Sequence, residues 1–473
     1  MIDKREILES ASAMGLLPSV VEKDYVLGWL LAGINAHAEL RSSWVFKGGT
    51  CLKKCYFETY RFSEDLDFTL NDETQLNADF LHRVMGEVLE WVADESGLAL
   101  PSDQLSFDIY ENPRGRISCQ GKVGYRGPVT PAVNAGRWPR IKLDLTADEC
   151  LVLPATQREV FHPYTDRPQV GMQVNCYAYE EAFGEKVRAL AERTRPRDLY
   201  DVVNLYRHGD TRPPAAVVHN VLEQKCLYKG IAVPTLEALE PHRADLEAMW
   251  KDMLAHQLPE LPPVADFWAA LPEFFAWLTG QTEAPQRAII MPGSTETPIR
   301  SRVLPVSIPA RARTPLEIIR FAAANHLCVD LTYDGSIRRI EPYSLRQTSE
   351  GNFLLHAIRS GSGEPRSYRA DRIQGASVTQ QTFSPRYLVE LSSEGSLAIA
   401  PTLSRPVRFA QSRTPRVRTV ARPFSSGPTY VYRCTFCGKT FNRKTMDGSL
   451  KPHKNKQGYD CYGTYGVYVR TKY

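Results

Sequence analysis

Two proline-rich, weakly periodic stretches, residues 281–313 and 403–428, limit most strongly what this chain can fold into. Neither has the apolar spacing of a packed helix or strand, and both are typical of linkers. They predict three units, at residues 1–280, 314–402 and 429–473. Because 473 residues exceed what one ordinary core accommodates, we expect several domains.

The composition excludes several classes of protein. With 43% hydrophobic and 24% charged residues, the chain matches folded globular proteins rather than disordered, collagen-like or membrane-embedded ones. The best apolar segment, residues 25–38, is too short to span a bilayer. The amino terminus is charged from its third residue and resembles no secretory signal. The sequence therefore predicts a cytoplasmic protein without a membrane partner.

Charge is distributed unevenly along the chain. From Leu403 to the end there are 15 Lys and Arg against two acids, a net charge of +13, whereas the whole chain carries +4 and residues 1–402 therefore carry −9. Basic side chains in the tail alternate with aromatic ones, a combination that binds single strands and RNA ends. The alternative is a solvated basic linker without a partner.

The first unit has a mixed pattern. Short strand patterns occur at residues 44–47, 65–70 and 140–146, whereas helical spacing dominates residues 179–277. The sequence therefore predicts an α+β fold, with a core over about 1–175 and a helical lobe over about 176–280.

Three carboxylates stand on predicted strands of this unit. The two-residue strand period places Asp65 and Asp67 on one face, where they repel unless a cation such as Mg²⁺ lies between them. A solvated edge strand is the alternative interpretation. Asp144 lies on an otherwise apolar strand, where a lone charge is costly, and a third metal ligand would explain it.

Two further segments fit phosphate binding. Gly48, Gly49 and Thr50 follow a short strand, so the next helix can direct backbone N–H groups at an anion. Lys186 and Arg193 are seven residues apart and share one helix face, where Lys186 could contact a triphosphate. Asp198 follows a proline break and could cap the next helix. Alternatively, Asp198 or Asp201 orients Lys186 or the arginine.

The order of four segments resembles the AbiEii/AbiGii family of nucleotidyltransferase toxins. These segments are VEKDYVLGWLL, FKGGTCLKK, RFSEDLDF and EKVRALAERTRPRDLYDV, and the resemblance covers roughly residues 1–280. It implies a minimal nucleotidyltransferase fold with a helical lobe, an NTP substrate, Mg²⁺ and a neighbouring winged-helix antitoxin. Some members resemble enzymes that add nucleotides to the 3′ end of tRNA.

The resemblance also implies roles for individual residues. Gly48, Gly49 and Thr50 match the phosphate-loop motif, and Lys186 and Asp198 match the later Lys and Asp motifs. Independently of these matches, we expect Lys53 and Arg193 to bind the nucleotide. Asp65 and Asp67 match the Mg²⁺-binding pair. The remaining residues expected in catalysis are Asp144, Lys186 and Asp198.

Residues 314–402 resemble a WYL domain, a small β-rich sensor of ligands or nucleic acid. A helical pattern is followed by alternating segments and an Asp334-Gly335 hairpin signal. Asn352-Phe353-Leu354 replaces the tripeptide that names this domain. The resemblance implies a ligand groove lined by Tyr333, Arg339, His356, Arg369 and Arg372, where the cations could bind phosphate. The alternative is that the arginines form surface ion pairs.

The last 45 residues contain the ligands of a structural zinc site. Cys434, Cys437, His453 and Cys461 have the types and number of a closed tetrahedral Zn²⁺ centre. A segment of this size cannot bury enough core to fold without such help. The other seven cysteines, scattered through apolar contexts, are expected to be buried thiols without an assigned role.

The leading hypothesis is a Mg²⁺-dependent nucleotidyltransferase toxin or phage-defence effector that transfers NMP from an NTP to RNA, with tRNA favoured and RNA preferred over DNA. A second hypothesis is a nucleotide or nucleic-acid sensor with a non-catalytic nucleotidyltransferase fold. A third is nucleotidylation of a protein hydroxyl.

Overall fold

The computed structural model describes most of the chain, namely residues 1–57, 61–130, 138–208, 212–281, 297–298, 303–304, 310–392, 398–399, 429–435, 437–443, 445, 447–454, 460–461 and 463–472. The chain forms two compact units, residues 1–402 and 403–473. The predicted linker at 403–428, and most of the one at 281–313, lie outside the described residues. Among the helices described, none is long and apolar enough to cross a membrane.

A mixed sheet organises the first part of the larger unit. Its strands are β1 Trp44–Lys47, β2 Asp65–Leu70, β3 Leu105–Glu111, β4 Ile117–Gly124, β5 Arg140–Thr146, β6 Thr156–Glu159 and β7 Gln173–Cys176. In the described residues the order is β3–β4–β5–β2–β1–β7–β6. Strand β2 pairs antiparallel with β1 and parallel with β5, so it lies inside the sheet. The edge-strand alternative for Asp65 and Asp67 is therefore wrong.

The alternation along β2 fixes its register. Leu66 and Phe68 are fully buried, and the Phe68 ring lies 5.3 Å from that of Trp44 and 5.4 Å from that of Phe46. Burying each such side chain contributes about 1.5–3 kcal/mol. A shift of the strand register by one residue would bury the carboxylates of Asp65 and Asp67 in this core. Because burying those charges is costly, the register keeps them on the opposite face of the sheet.

Along with this sheet, residues 1–280 form eleven described α-helices, of which those from residue 179 onward form the predicted helical lobe. Their bounds are α1 Lys4–Met14, α2 Pro18–Ala36, α3 Gly48–Cys51, α4 Ala78–Ser96, α5 Tyr179–Arg193, α6 Pro196–Arg207, α7 Ala215–Lys229, α8 Leu236–Leu239, α9 Arg243–Leu254, α10 Val264–Trp268 and α11 Leu271–Leu278. Helix α5 ends at Arg193 and is capped by Thr194, which has φ 42°, and Pro196 begins α6. Proline has no N–H to lose at a first helical position, so the break between the two helices is sharp.

The β-rich part of the larger unit starts with a helix. The elements are α12 Ala310–Ala324, β10 Leu327–Tyr333, β11 Ser336–Gln347, β12 Phe353–Arg359, β13 Pro365–Arg369 and β14 Ile373–Thr382. Asp334 and Gly335 have φ of 47° and 73°, which confirms the predicted hairpin turn. The described strands pair in the order β13–β12–β11–β10–β14, and the short β8 (Thr297–Pro298) pairs with β11. Gln380 donates a 3.0 Å hydrogen bond to Glu260 of the helical lobe.

The smaller unit is built from short strands. They are β16 Thr429–Cys434, β17 Thr440–Arg443, β18 His453–Lys454, β19 Asp460–Cys461 and β20 Gly466–Lys472. Two further short strands, β9 Val303–Leu304 and β15 Ala398–Ile399, belong to the larger unit and pair with each other. In the described part of the small unit, β17, β16 and β20 form one sheet, and β18 and β19 form another. This arrangement places the predicted zinc ligands near strand ends.

Candidate active site

The parallel pairing of β2 and β5 brings the predicted carboxylates together. In this register Asp67 lies directly opposite Asp144, and Asp65 opposite Lys142. Gln120 of β4 donates a 3.3 Å hydrogen bond to Asp144. Asp144, which is distant along the chain, therefore stands beside the Asp65–Asp67 pair, as the sequence predicted.

The electrostatics of this cluster favour a cation. Burial, followed by the negative charge of Asp144, raises the pKa of Asp67 to about 6. Burial also raises the pKa of Asp65, and Asp144 adds to that effect. A carboxylate whose charge is disfavoured by its surroundings regains it when a cation binds. The carboxylates thus fit a hard divalent ion such as Mg²⁺, which prefers oxygen ligands.

The Gly-Gly turn contacts the same strand. Gly48 has φ +81°, and a Cβ at this position would lie 2.1 Å from a carboxylate oxygen of Asp67. The Thr50 hydroxyl donates a 2.6 Å hydrogen bond to the backbone oxygen of Asp65. Glycine is required at residue 48 for two reasons, its left-handed backbone and its contact with the carboxylate.

The second half of the turn lies against an arginine that the sequence analysis did not assign. A Cβ on Gly49 would lie 2.5 Å from the Arg61 guanidinium. Arg61 is buried and donates bidentate hydrogen bonds of 2.7 and 2.8 Å to Asp201. Lys53 is also buried, with its ammonium 4.2 Å from the centre of the Phe62 ring.

The two helices after the sheet hold their cations through two aspartates. Lys186 of α5 lies 2.6 Å from Asp201 and 3.6 Å from Asp198 of α6. Arg193 donates bidentate hydrogen bonds of 2.7 and 2.9 Å to Asp198. The cap residue of α6 is Arg195, which makes no side-chain cap hydrogen bond. Asp198 therefore orients the cations rather than capping the helix.

The charges of Arg61 and Lys186 change the pKa values of nearby carboxylates. Burial opposes ionisation of Asp201, but the charges of Arg61 and Lys186 lower its pKa well below the usual range. The charge of Lys186 also counteracts, in part, the increase in the pKa of Asp67. The structure thus brings Lys186 into the electrostatic field of the predicted metal pair.

A buried ion-pair network beneath the site escaped the sequence analysis. Lys47, immediately before the Gly-Gly turn, lies 3.1 Å from Glu149, which is 3.5 Å from Lys229. Lys225 lies 2.7 Å from Glu181. The lysine at the end of the wholly buried β1 could have predicted this network, because a buried lysine almost always has an ion-pair partner.

The residues of the predicted WYL-like groove lie on the β-rich sheet. Arg339 pairs with Asp330 at 2.8 Å, Arg369 with Asp371 at 2.8 Å and Arg372 with Asp334 at 4.0 Å. His356 is fully buried, and the Tyr333 hydroxyl accepts a 3.2 Å hydrogen bond from the backbone of Arg369. These contacts match the alternative in which the arginines form surface ion pairs. The ligand groove stays a prediction.

The four predicted zinc ligands converge in the smaller unit. One ligand atom from each of Cys434, Cys437, His453 and Cys461 lies within 4.8 Å of the others. The Cys437 sulfur is 3.4 Å from Nε2 of His453, whose Nδ1 is 2.9 Å from the Lys451 carbonyl oxygen. Donation from Nδ1 to this carbonyl leaves Nε2 for a metal. The donor set therefore fits Zn²⁺.

The chain was compared with solved structures and with curated proteins. One solved structure that resembles the chain is MenT4, a nucleotidyltransferase toxin of Mycobacterium tuberculosis H37Rv, at 19% identity and a TM-score of 0.38, covering 60% of this chain and 91% of that one. Another is the proteasome accessory factor B/C of Arthrobacter aurescens, at 14% identity and a TM-score of 0.14, covering 62% and 41%. No curated protein matches the chain.

A family model gives the decisive match. The model described as "Nucleotidyl transferase AbiEii toxin, Type IV TA system" matches residues 29–279, just over half of the 473 residues. This segment contains all of the carboxylates, glycines and cations described above around Asp67. The chain therefore belongs to the AbiEii family of nucleotidyltransferase toxins.

Proposed function

We propose that this chain transfers a nucleoside monophosphate from an NTP to an RNA acceptor, with tRNA the favoured acceptor. The observation that carries the proposal is the convergence of Asp65, Asp67 and Asp144 on one sheet face, in contact with the Gly-Gly turn. Family membership supports nucleotidyl transfer, and the geometry supports a site for a metal–nucleotide complex.

The carboxylates would hold Mg²⁺. When bound, Mg²⁺ neutralises charge on the phosphates and stabilises the developing charge of in-line displacement. Asp65 and Asp67 are the proposed ligands. Asp144, oriented by Gln120, either completes the metal site or accepts the proton of the attacking hydroxyl. Departure of pyrophosphate completes the transfer.

The turn and the helical lobe would hold the triphosphate. Backbone N–H groups after Gly48 can approach an anion because residues 48 and 49 carry no side chain there. Lys186, held by Asp201 and Asp198, is the proposed cation for the phosphates. Its orientation before substrate arrives reduces the entropy lost on binding.

The proposal of RNA as acceptor rests on the smaller unit. This unit, residues 403–473, carries a net charge of +13. The side chains of Tyr465 and Tyr468 on or beside β20 are 61% and 43% exposed. Exposed aromatic rings among cations are suited to stacking on unpaired bases. The family description also names a toxin–antitoxin system, so we infer a protein antitoxin as a second partner.

A labelling experiment tests the proposal. The purified full chain is incubated with total RNA, Mg²⁺ and each of the four NTPs labelled at the α-phosphate. We expect label in a discrete RNA band, reduced on the order of a hundredfold or more by Asp67→Asn. Asp94→Asn, at an exposed position of α4, is the matched control and should retain full transfer.

The other outcomes separate the alternatives. Label in a protein band would support nucleotidylation of a protein instead. Absence of label from RNA and protein, with NTP still bound by the folded chain, would support a non-catalytic sensor. Equal labelling by wild type and Asp67→Asn would refute the assigned site.

A further inference from the structure

Three cysteines, two from the helical segment that follows the Gly-Gly turn and one from β7, lie close together. Cys51 ends α3, Cys55 lies in the π-helical turn Leu52–Tyr56, and Cys176 ends β7. Their sulfur atoms all lie within 4.8 Å of one another, and all three side chains are buried. The sequence analysis treated these cysteines as unrelated thiols, because nothing in their spacing shows that β7 pairs beside β1.

The distances between the three sulfur atoms suit a thiophilic metal ion. Zinc–sulfur bonds of about 2.3 Å place sulfur atoms of one centre roughly 3.8 Å apart, so the thiols need only a small inward movement. No disulfide is formed by any cysteine of the chain, all ten of which lie within the described residues. Thiolates select ions such as Zn²⁺, Cd²⁺ or Cu⁺ over Mg²⁺.

The surroundings can balance the charge of such a centre. The guanidinium of Arg158 lies 4.7 Å from the centre of the Tyr56 ring and donates a 3.3 Å hydrogen bond to the backbone oxygen of Cys55. The Tyr56 hydroxyl lies 4.0 Å from the Cys176 sulfur. Three thiolates around one divalent ion carry a net charge of −1, which the neighbouring cation offsets.

We propose that Cys51, Cys55 and Cys176 form a second metal site, which binds one thiophilic divalent ion as three thiolates with release of three protons. The site is distinct from the zinc ligands of the smaller unit. It connects the residue after Thr50 to β7, whose Cys176 pairs with Phe46 of β1. An ion held there would fix both sides of the turn that carries Gly48.

Cadmium is a suitable probe because thiolate–cadmium bonds absorb in the ultraviolet. The full chain is produced in medium containing Cd²⁺, so that the thiols meet the ion before burial. In a Cys437→Ser/Cys461→Ser background, which removes two of the four proposed zinc ligands of the smaller unit, we expect one equivalent of Cd²⁺ with thiolate absorbance and a sulfur-only coordination shell. Adding Cys176→Ala should abolish both signals.

Matched controls distinguish the metal site from simple packing. Cys119→Ala removes another buried thiol outside both clusters and should retain the bound ion. Cys55→Ala replaces Cys176→Ala if the latter fails to fold. A folded Cys437→Ser/Cys461→Ser protein that contains no Cd²⁺ would overturn the proposal and leave the thiols as small apolar side chains. Retention of Cd²⁺ after Cys176→Ala would also overturn it.

Discussion

At the scale of single residues, Asp67 shows that a carboxylate placed for function can lower the free energy of unfolding of the protein that contains it. Its carboxylate is disfavoured by burial and by Asp144, so its pKa rises to about 6 from an ordinary 3.8. The metal-free fold therefore disfavours the charge that the proposed Mg²⁺ binding requires. Such a cost is expected where a carboxylate waits for a cation.

Asp67→Asn should therefore stabilise the metal-free protein while abolishing transfer. Because the folded pKa is raised, the cost of ionising Asp67 is absent below about pH 4, grows as the pH approaches 6 and is constant above that value. The gain at about pH 8 should be roughly 1–3 kcal/mol, and it should be smaller at about pH 5. Denaturant unfolding in EDTA measures both values.

Asp94→Asn is the control, because this exposed aspartate lies on α4 away from the cluster. Its effect on the free energy of unfolding should be small and alike at the two pH values. A lower stability of Asp67→Asn at about pH 8 would contradict the electrostatic account.

Local patterns in the sequence predicted part of the site. The D-x-D spacing, the Gly-Gly turn and the cations on one face of α5 all depend on residues close in the chain. The pairing of Arg61 with Asp201 and the meeting of Cys51 with Cys176 depend on contacts between distant segments, which no spacing rule reveals. Asp144 was found because a lone charge on an apolar strand requires a partner.

At the scale of elements, the turn between β1 and α3 is determined by contact with β2. The positive φ of Gly48 and the proximity of Asp67 leave no space for a side chain. The sequence predicted β2 and β5 from their alternation and β1 as a short strand that enters the Gly-Gly turn, but it did not predict β14. That strand, IQGASVTQQT, is mostly polar, and pairing with β10 rather than a buried face determines its conformation.

Gly48→Ala should displace the Asp67 carboxylate, because the added Cβ would lie 2.1 Å from its oxygen. We expect transfer to fall on the order of a hundredfold and stability to fall by about 1–2 kcal/mol from the left-handed backbone. Labelled-NTP transfer and thermal unfolding measure the two effects.

Gly86→Ala is the matched control for this substitution. Gly86 lies within α4, and a Cβ there would meet nothing within 4 Å. Its replacement should keep full transfer and raise stability by up to about 1 kcal/mol, because alanine favours a helix. If Gly48→Ala behaved in the same way, the turn would have no part in the site.

At the scale of the whole molecule, the chain combines two units with opposite charge. Residues 1–402 carry −9 and residues 403–473 carry +13. The smaller unit has few buried apolar side chains among its described residues, so we expect its fold to depend on a metal ion bound by Cys434, Cys437, His453 and Cys461. We therefore expect the two units to lose structure independently.

Cys437→Ser should unfold the smaller unit alone. Limited proteolysis should cleave within residues 429–473, whereas the thermal transition of residues 1–402 should stay within about 1 °C, since surface changes elsewhere have little effect on a separate core. Thr440→Ser, at an exposed position of β17, should leave the smaller unit resistant. A lower transition temperature for the larger unit would show that the units are coupled.

The parallel pairing of β2 with β5 also bears on synthesis of the toxin. Asp67 and Asp144 meet only across the sheet, and Lys186 is held by Asp201, later still in the chain. A nascent polypeptide cannot assemble these groups until residue 201 has left the ribosome, because chains emerge from the amino terminus. On the proposed function, the chain therefore cannot transfer nucleotides during most of the first half of its own elongation.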